Sequence, residues 1–152
     1  YMPMVPEVAA IMYGVFMAGA IAVPIFSGFG VDATATRIED PEVDLLFTAD
    51  GFYRRGSEVG LKEPAGEAID DADTDIGSVV VYRRFEGSDP PMTDGRDEFW
   101  TDAVGSQPDE FDTVETEASD PCMLLYSSGN TGKPKGIVHT HAGGQVQADK
   151  EI

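Results

Sequence analysis

The uncharged stretch over residues 8–26 constrains the fold more than any other feature of the chain. A run of this length could cross a membrane as a single helix. Gly19 and Pro24 interrupt the run, however, and a proline inside a helix removes a hydrogen bond and clashes with the preceding turn. No basic segment precedes the run, so the signal-peptide pattern is absent as well. We therefore expect a helix over residues 7–18 that ends at Gly19, and a short buried strand over residues 20–26.

A helix followed at once by a buried strand is half of an α/β unit, and this order recurs along the chain. The clearest strand is SVVVY at residues 78–82, where three β-branched valines stand in a row. Residues 83–119 are acidic and rich in Gly and Pro, which predicts a surface excursion with one short helix over residues 97–104. The fold class that follows is a layered α/β structure with a largely parallel sheet and flanking helices. The remaining predictions are helices over residues 32–40 and 63–71, strands over 43–48, 121–126 and 136–140, a loop over 49–60, and a last helix from about residue 141.

The charge of the chain is one-sided, because 10 Lys and Arg residues stand against 28 Asp and Glu residues, for a net charge of −18. A surface of this sign repels nucleic acids and anionic membranes, so we expect neither as a partner. A disordered acidic tail or a basic partner would also explain the excess. The acids are spread along most of the chain, however, and 41% of the residues are apolar. We therefore favour a cytoplasmic protein of a halophile, in which salt screens the repulsion among carboxylates.

Cysteine and histidine are too scarce for a disulfide framework or a zinc site. Cys122 is the one cysteine, so no internal disulfide can form, and we expect a small buried side chain there. His139 and His141 are the two histidines, and without further Cys or His ligands they do not predict zinc. We therefore expect no metal ligand within the chain.

The residues that indicate chemistry are concentrated in YSSGNTGKPKG at 126–136, directly after a predicted buried strand. The segment combines hydroxyl side chains, glycines that expose backbone N–H groups, and two of the four lysines of the chain. These are the groups that bind a polyphosphate, although a flexible hairpin loop can have the same composition. The candidate ATP phosphate-binding residues are Ser127, Ser128, Gly129, Asn130, Thr131, Gly132, Lys133, Lys135 and Gly136.

This segment is not a Walker A loop. That motif reads GxxxxGK followed by Ser or Thr, and its last residue begins a helix and binds magnesium. Here only two residues separate Gly129 from Gly132, and Pro134 follows Lys133 in place of a hydroxyl residue. The predicted order is strand, loop, strand, which places the loop as a flap over phosphates.

Residues 127–136 resemble the phosphate-binding signature of the adenylate-forming superfamily, the AMP-dependent acyl-CoA synthetases, whose pattern is close to S/T-S-G-S/T-T-G-x-P-K-G. Asn130 is the one departure, because its amide can hydrogen-bond but lacks the usual hydroxyl. YMPMVPE at residues 1–7, TAD at 48–50 and GIVHTH at 136–141 are similar to further segments of the acetyl and short-chain branch.

The chain therefore resembles the central part of this family's large N-terminal domain, as one partial AMP-binding domain over residues 1–152 with its phosphate loop at 126–136. The resemblance implies an ATP-dependent, AMP-forming acetate or short-chain acyl-CoA ligase. ATP and a small carboxylic acid give an acyl-adenylate and pyrophosphate, and CoA then gives the thioester and AMP. The resemblance also implies use of Mg²⁺, with the metal ligand outside this chain.

The resemblance assigns the loop to the β- and γ-phosphates of ATP. The implied hydrogen-bonding set is Ser127, Ser128, Asn130 and Thr131, and the implied charges are Lys133 and Lys135. The lysines would stabilise phosphate charge and would not act as bases.

Arg54 and Arg55 are the candidates for binding CoA. In the acetyl branch, an Arg-Gly-rich turn at this place helps to hold the adenosine-phosphate end of CoA, and the resemblance implies this role here. Ser57 replaces the second basic residue of that turn. The alternative is a pair of exposed arginines that balance acids such as Glu58.

The resemblance finally implies segments that this chain lacks, namely those for adenine, magnesium and ribose and the lid with its catalytic lysine. We therefore expect a fragment that contains no catalytic residue and is inactive alone. Two alternatives stay open. One is a stand-alone nucleotide-binding module with saturable ATP binding, and the other is an inactive remnant that folds poorly and binds nothing.

Overall fold

The computed structural model describes residues 1–127 and 134–150, which fold as a mixed α/β structure. These residues form two compact units. The first joins Tyr1–Val5 to Ile25–Asp109, and the second joins Pro6–Pro24 to the described residues from Glu110 onward. In chain order the elements are α1 (Glu7–Met17), α2 (Val31–Glu39), β1 (Leu45–Ala49), β2 (Gly51–Arg54), β3 (Ser57–Gly60), α3 (Lys62–Asp71), β4 (Ser78–Tyr82), β5 (Asp97–Phe99), α4 (Trp100–Gly105), β6 (Pro121–Ser127), β7 (Lys135–Thr140) and α5 (His141–Lys150).

The first unit is built on a parallel sheet with the strand order β1-β4-β5. Val79 and Val81 of the central strand β4 are fully buried, because β-branched side chains pack well on a pleated surface that is covered. Helix α2 packs against α3, and α3 packs against β1. These findings confirm the predicted α/β class with a parallel sheet and flanking helices.

The predicted loop over residues 49–60 is wrong, because β2 and β3 form an antiparallel hairpin there. Arg54 pairs with Ser57, so Arg55 and Gly56 are the two residues of the turn. Their φ angles of 51° and 83° are both positive, as a type I′ turn requires. The sequence signal is weak because Arg-Gly is not the Asn-Gly or Asp-Gly pair that is typical of this turn.

The predicted buried strand over residues 20–26 is also wrong. The stretch forms isolated bridges only, among them a parallel bridge between Ala22 and Met123. Ala22 is buried, whereas Phe26 is 67% exposed. Pro24 has no N–H group with which to continue a ladder, so the apolar run does not become a strand.

Two further elements differ from their predictions in extent or burial. The predicted helix over residues 97–104 is split, because its first residues extend the sheet as β5 and α4 begins only at Trp100. Strand β6 forms where it is expected, but Cys122 is its one buried residue, so the predicted burial of the whole strand is wrong. The predicted burial of Cys122 itself is confirmed.

The second unit contains α1, the antiparallel pair of β6 and β7, and α5. Helix α1 ends where predicted, because Gly19 has a φ of 67° that stops a right-handed helix. Although α1 is mostly apolar, none of its residues is buried. None of the helices in the described residues has the length and apolar character needed to cross a membrane.

Candidate functional site

The hairpin of β6 and β7 is the frame that carries the predicted phosphate loop. The two strands pair from Pro121 opposite Thr140 to Ser127 opposite Lys135. The Ser127 hydroxyl donates to the backbone carbonyl of Lys135 over 3.4 Å, and both residues are exposed. The strands predicted on either side of this segment are therefore both present and paired, and Ser127 lies opposite Lys135.

Gly136 lies where a larger residue would be crowded. It pairs with Tyr126, and a Cβ atom added to it would stand 3.0 Å from Cδ1 of Leu124. That separation is tighter than ordinary van der Waals contact. Gly136, the third glycine of the motif, is therefore favoured here because Leu124 leaves little space for a side chain. This packing reason is separate from its predicted role near phosphate.

The described residues include Ser127, Lys135 and Gly136 of the predicted phosphate site, and the hairpin brings these three together. The other predicted members lie outside the described residues; they are Ser128, Gly129, Asn130, Thr131, Gly132 and Lys133. Their assignment to ATP phosphates therefore stays a prediction.

Arg54 and Arg55 lie at the tip of the β2–β3 hairpin, and both are exposed. Glu58, which was the candidate partner for these arginines, instead accepts a long hydrogen bond of 3.4 Å from the Tyr53 hydroxyl. Within residues 1–127 and 134–150, neither arginine forms an ion pair. The hairpin therefore presents two unneutralised guanidinium groups at its turn.

Asp50 organises the chain beside this hairpin, a role that the sequence did not predict. Its buried carboxylate accepts hydrogen bonds from the backbone N–H groups of Arg84 at 2.8 Å and Phe85 at 3.0 Å, and from the hydroxyl of Ser88. Its own backbone carbonyl accepts from the N–H of Leu61 at 3.0 Å. One acid thus connects the end of β1 to the segment that follows β4. The sequence feature that could have indicated this role is the position of Asp50 directly after a buried strand, because an acid there can accept hydrogen bonds from nearby backbone N–H groups.

A buried ion pair connects the start of α3 to the start of β5. Nζ of Lys62 lies 2.8 Å from Oδ2 of Asp97, and the two side chains are 3% and 0% exposed. Nε of Arg96 lies 2.6 Å from the other carboxylate oxygen, and this hydrogen bond raises the pKa of Arg96. Burial acts to raise the pKa of Asp97, but hydrogen bonds from Arg96, Lys62 and the Thr93 N–H outweigh it and hold that pKa below its usual value.

A cavity of about 300 Å³ opens beside this pair. Its lining includes three carboxylates on successive turns of α3, namely Glu63, Glu67 and Asp70. Lys62 and Arg96 also line the cavity, but both pair with Asp97. The three carboxylates therefore give the lining a negative charge that disfavours a phosphate, and we do not take the cavity as a candidate nucleotide site. The described part of the chain contains no group of three or more His, Cys, Asp or Glu residues placed to hold a metal ion.

Comparison with known proteins identifies the family. The family model described as AMP-binding enzyme matches residues 1–149. The chain belongs to this AMP-binding enzyme family. Within the family, it is 43% identical over 150 residues to the acetyl-coenzyme A synthetase of Rhodopirellula baltica, which covers 99% of the chain and 22% of that protein.

Other acetyl-coenzyme A synthetases are similarly close to this chain in sequence. The chain is 45% identical over 148 residues to the acetyl-coenzyme A synthetase of Pyrobaculum aerophilum, covering 96% of the chain and 22% of that protein. It is 43% identical over 143 residues to that of Methanothrix thermoacetophila, covering 94% of the chain and 21% of that protein. The chain thus spans about a fifth of the length of these relatives, and the family resemblance of the sequence is confirmed over nearly all of it.

Proposed function

We propose that the protein to which this chain belongs is an AMP-forming acetate or short-chain acyl-CoA ligase. It would use ATP, CoA, a small carboxylic acid and Mg²⁺. Identities of 43–45% to acetyl-coenzyme A synthetases over at least 94% of the chain support this proposal. The structural observation that carries it is the β6–β7 hairpin, whose register pairs Ser127, the first residue of the phosphate-binding signature, with Lys135 near the end of that signature.

In this proposal the hairpin holds the ends of the loop while the loop binds the β- and γ-phosphates of ATP. The Ser127 hydroxyl and the Lys135 ammonium are exposed and can meet a phosphate from the two strands. Lys135 would stabilise charge that develops as pyrophosphate leaves, because a fixed ammonium needs no reorganisation at that moment. The described residues provide no metal cluster, so no step is assigned to Mg²⁺ within them.

Arg54 and Arg55 remain the proposed contacts for CoA. Two exposed guanidinium groups without a carboxylate partner suit the phosphates at the nucleotide end of CoA. The turn holds Arg55 in a left-handed conformation, which fixes the backbone from which its side chain extends.

The decisive experiment is acetate-dependent exchange of ATP with radiolabelled pyrophosphate by the full-length protein encoded by the reading frame that contains this chain. We expect Lys135→Ala to lower the exchange rate at least about tenfold, and Lys150→Ala, a matched loss of one ammonium outside the motif, to leave it unchanged. Equal losses in both variants would contradict the assignment. The 152-residue chain alone should give no exchange, and rapid exchange by it would contradict the proposal that it is an incomplete enzyme.

We also propose that the protein works in the cytoplasm of a salt-accumulating cell. The net charge of −18 supports this, because close carboxylates repel one another unless ions screen them. Dialysis from concentrated KCl into dilute buffer should abolish the folded circular dichroism signal. A chain that stays folded with an unchanged unfolding midpoint after dialysis would contradict the proposal.

A further inference from the structure

The β2–β3 hairpin has little packing of its own to hold it in place. Of the residues in its two strands, all of which the structure describes, only Gly51 is buried. A two-stranded hairpin by itself is at best marginally stable in water. Contacts from outside the hairpin must therefore fix the direction in which its turn points, and Arg54 and Arg55 lie at that turn.

The main chain of Asp50 anchors the base of the hairpin to the parallel sheet. Its N–H donates over 3.0 Å to the carbonyl of Tyr82, the last residue of β4. Its carbonyl accepts over 3.0 Å from the N–H of Leu61. Because Asp50 directly precedes β2 and Leu61 directly follows β3, these two bonds connect both strands of the hairpin to the end of β4.

The side chain of Asp50 holds the segment after β4 against the same hairpin. Its carboxylate accepts from the N–H groups of Arg84 at 2.8 Å and Phe85 at 3.0 Å, and from the hydroxyl of Ser88. Asp50 is only 6% exposed, so these donors, and not water, are the groups that surround the carboxylate. The position of Phe85 therefore depends on Asp50.

The Phe85 ring extends this restraint along β2 towards the turn. A Cβ atom added to Gly51 would overlap the Phe85 ring, so the ring fills the space above that glycine. The ring also packs edge-on against the ring of Tyr53, with centroids 5.0 Å apart. Tyr53 directly precedes Arg54 in the chain. Contacts thus run without a gap from Asp50 through Phe85 and Tyr53 to the arginines.

We propose that Asp50 is a positioning residue for CoA, because it holds the hairpin so that Arg54 and Arg55 extend from a fixed backbone. Groups that are ordered before a ligand arrives bind it more tightly than mobile ones, since folding has already met the entropic cost. The inference rests on the proposed function, which assigns CoA to these arginines, and adds a buried residue that acts through them. The step that depends on Asp50 is CoA binding and not formation of the acyl-adenylate.

The test is calorimetric titration of CoA into the full-length protein, together with acetate-dependent ATP–pyrophosphate exchange measured without CoA. Asp50→Asn keeps the side-chain volume but replaces one acceptor oxygen with an NH₂ group, which cannot accept from the facing donors. We expect it to weaken CoA binding at least about fivefold and to change the exchange rate by less than about twofold. Unchanged CoA binding would overturn the inference. An equal loss of exchange would also overturn it, since the damage would then be general.

Ile38→Ala is the control for lost stability. Ile38 is 0% exposed on α2 and is not among the residues that contact the hairpin as described above. Its truncation should destabilise the fold at least as much as Asp50→Asn, because it leaves a cavity in the core. Under conditions in which both variants are folded, we expect Ile38→Ala to change CoA affinity by less than about twofold. Weakening equal to that of Asp50→Asn would attribute the effect to stability and overturn the assignment to Asp50.

Two further variants test the route by which Asp50 acts. Phe85→Ala breaks the next contact in the series and should also weaken CoA binding at least about fivefold. In an Arg54→Ala, Arg55→Ala background, Asp50→Asn should weaken binding by less than about twofold more, because no guanidinium is left to position. Normal binding in Phe85→Ala, or a full additional loss in the arginine background, would show that Asp50 does not act through the hairpin.

The two measurements separate this inference from the proposed ligase activity. An unsubstituted protein that catalyses no exchange would contradict the ligase activity, while the CoA titration would still test Asp50. An unsubstituted protein that binds no CoA would overturn the inference together with the assignment of CoA to the arginines. Normal exchange combined with normal CoA binding in Asp50→Asn would overturn the inference alone.

Discussion

The buried ion pair between Lys62 and Asp97 leads to the most quantitative prediction. Replacing Lys62 with Met keeps most of the side-chain volume but leaves a carboxylate that is 0% exposed without its ammonium partner. Removing one partner from a buried pair typically costs about 3–5 kcal/mol. Asp97 keeps hydrogen bonds from Nε of Arg96 at 2.6 Å and the Thr93 N–H at 2.9 Å, so we expect a loss near the lower end, about 3 kcal/mol.

Trp100 is suited to reporting this loss, because it is the only tryptophan and it directly follows β5. Its ring centroid lies 6.3 Å from that of Phe47 on β1, so its fluorescence will change when the sheet unfolds. Urea unfolding should show a lower midpoint with an unchanged slope, and the melting temperature should fall by roughly 10 °C.

A double-mutant cycle with Lys62→Met, Asp97→Asn and both together separates the pair from its surroundings. We expect a coupling energy of about 2 kcal/mol. A value below about 0.5 kcal/mol would refute the reasoning, since the two charges would then stabilise the fold independently.

The same pair predicts a pH dependence of stability. The pKa of Asp97 is lower in the folded chain than its usual value, so the stabilisation is complete above the unfolded pKa of about 3.9 and is lost as the pH falls through the folded pKa. Lys62→Met removes one of the hydrogen bonds that lower this pKa, so its acid unfolding should begin at a higher pH. If acid unfolding began at the same pH in Lys62→Met as in the unsubstituted protein, this account would be contradicted.

Three further substitutions test other contacts by urea unfolding. Asp50→Ala removes the acceptor for two backbone N–H groups and the Ser88 hydroxyl, and should cost about 3 kcal/mol, while Asp50→Asn should cost less. Gly56→Ala places a Cβ at a φ of 83° and should cost about 1 kcal/mol, whereas Gly56→Asn should be nearly neutral; equal effects would argue against backbone strain. Gly136→Ala should cost about 1 kcal/mol through contact with Leu124, and a Leu124→Val background should reduce that cost.

Elements with a strong local pattern could be predicted from the sequence. Helix α2 forms over most of the predicted residues 32–40, and strand β4 forms where β-branched residues indicate it. Strands β6 and β7 form on either side of the Gly-rich segment, as predicted. The stretch over residues 20–26 is as apolar as β4, but it forms only isolated bridges. Apolar composition shows that a segment prefers burial, and the partner strands that would provide it are not encoded locally.

The individual residues discussed above differ in the same way. Lys135 and Arg54 could be proposed as binding residues because cations stand out in an acidic chain and because the segments that contain them resemble family motifs. Asp50 and Asp97 could not, because 28 acids give no reason to select two that become buried. Their roles depend on contacts between residues more than thirty positions apart, such as Asp50 with Arg84, which only the folded chain brings together.

The unequal burial of the two units has a consequence for proteolysis. Among the described residues, the second unit contributes only Ala22 and Cys122 to the buried apolar side chains, whereas the first contributes the rest. Local opening is easiest where few apolar groups are buried, and proteases cut chains that open. Brief digestion of the chain should therefore leave a resistant fragment close to residues 25–109. The boundary of that fragment would define the smallest piece of the chain that retains its own hydrophobic core.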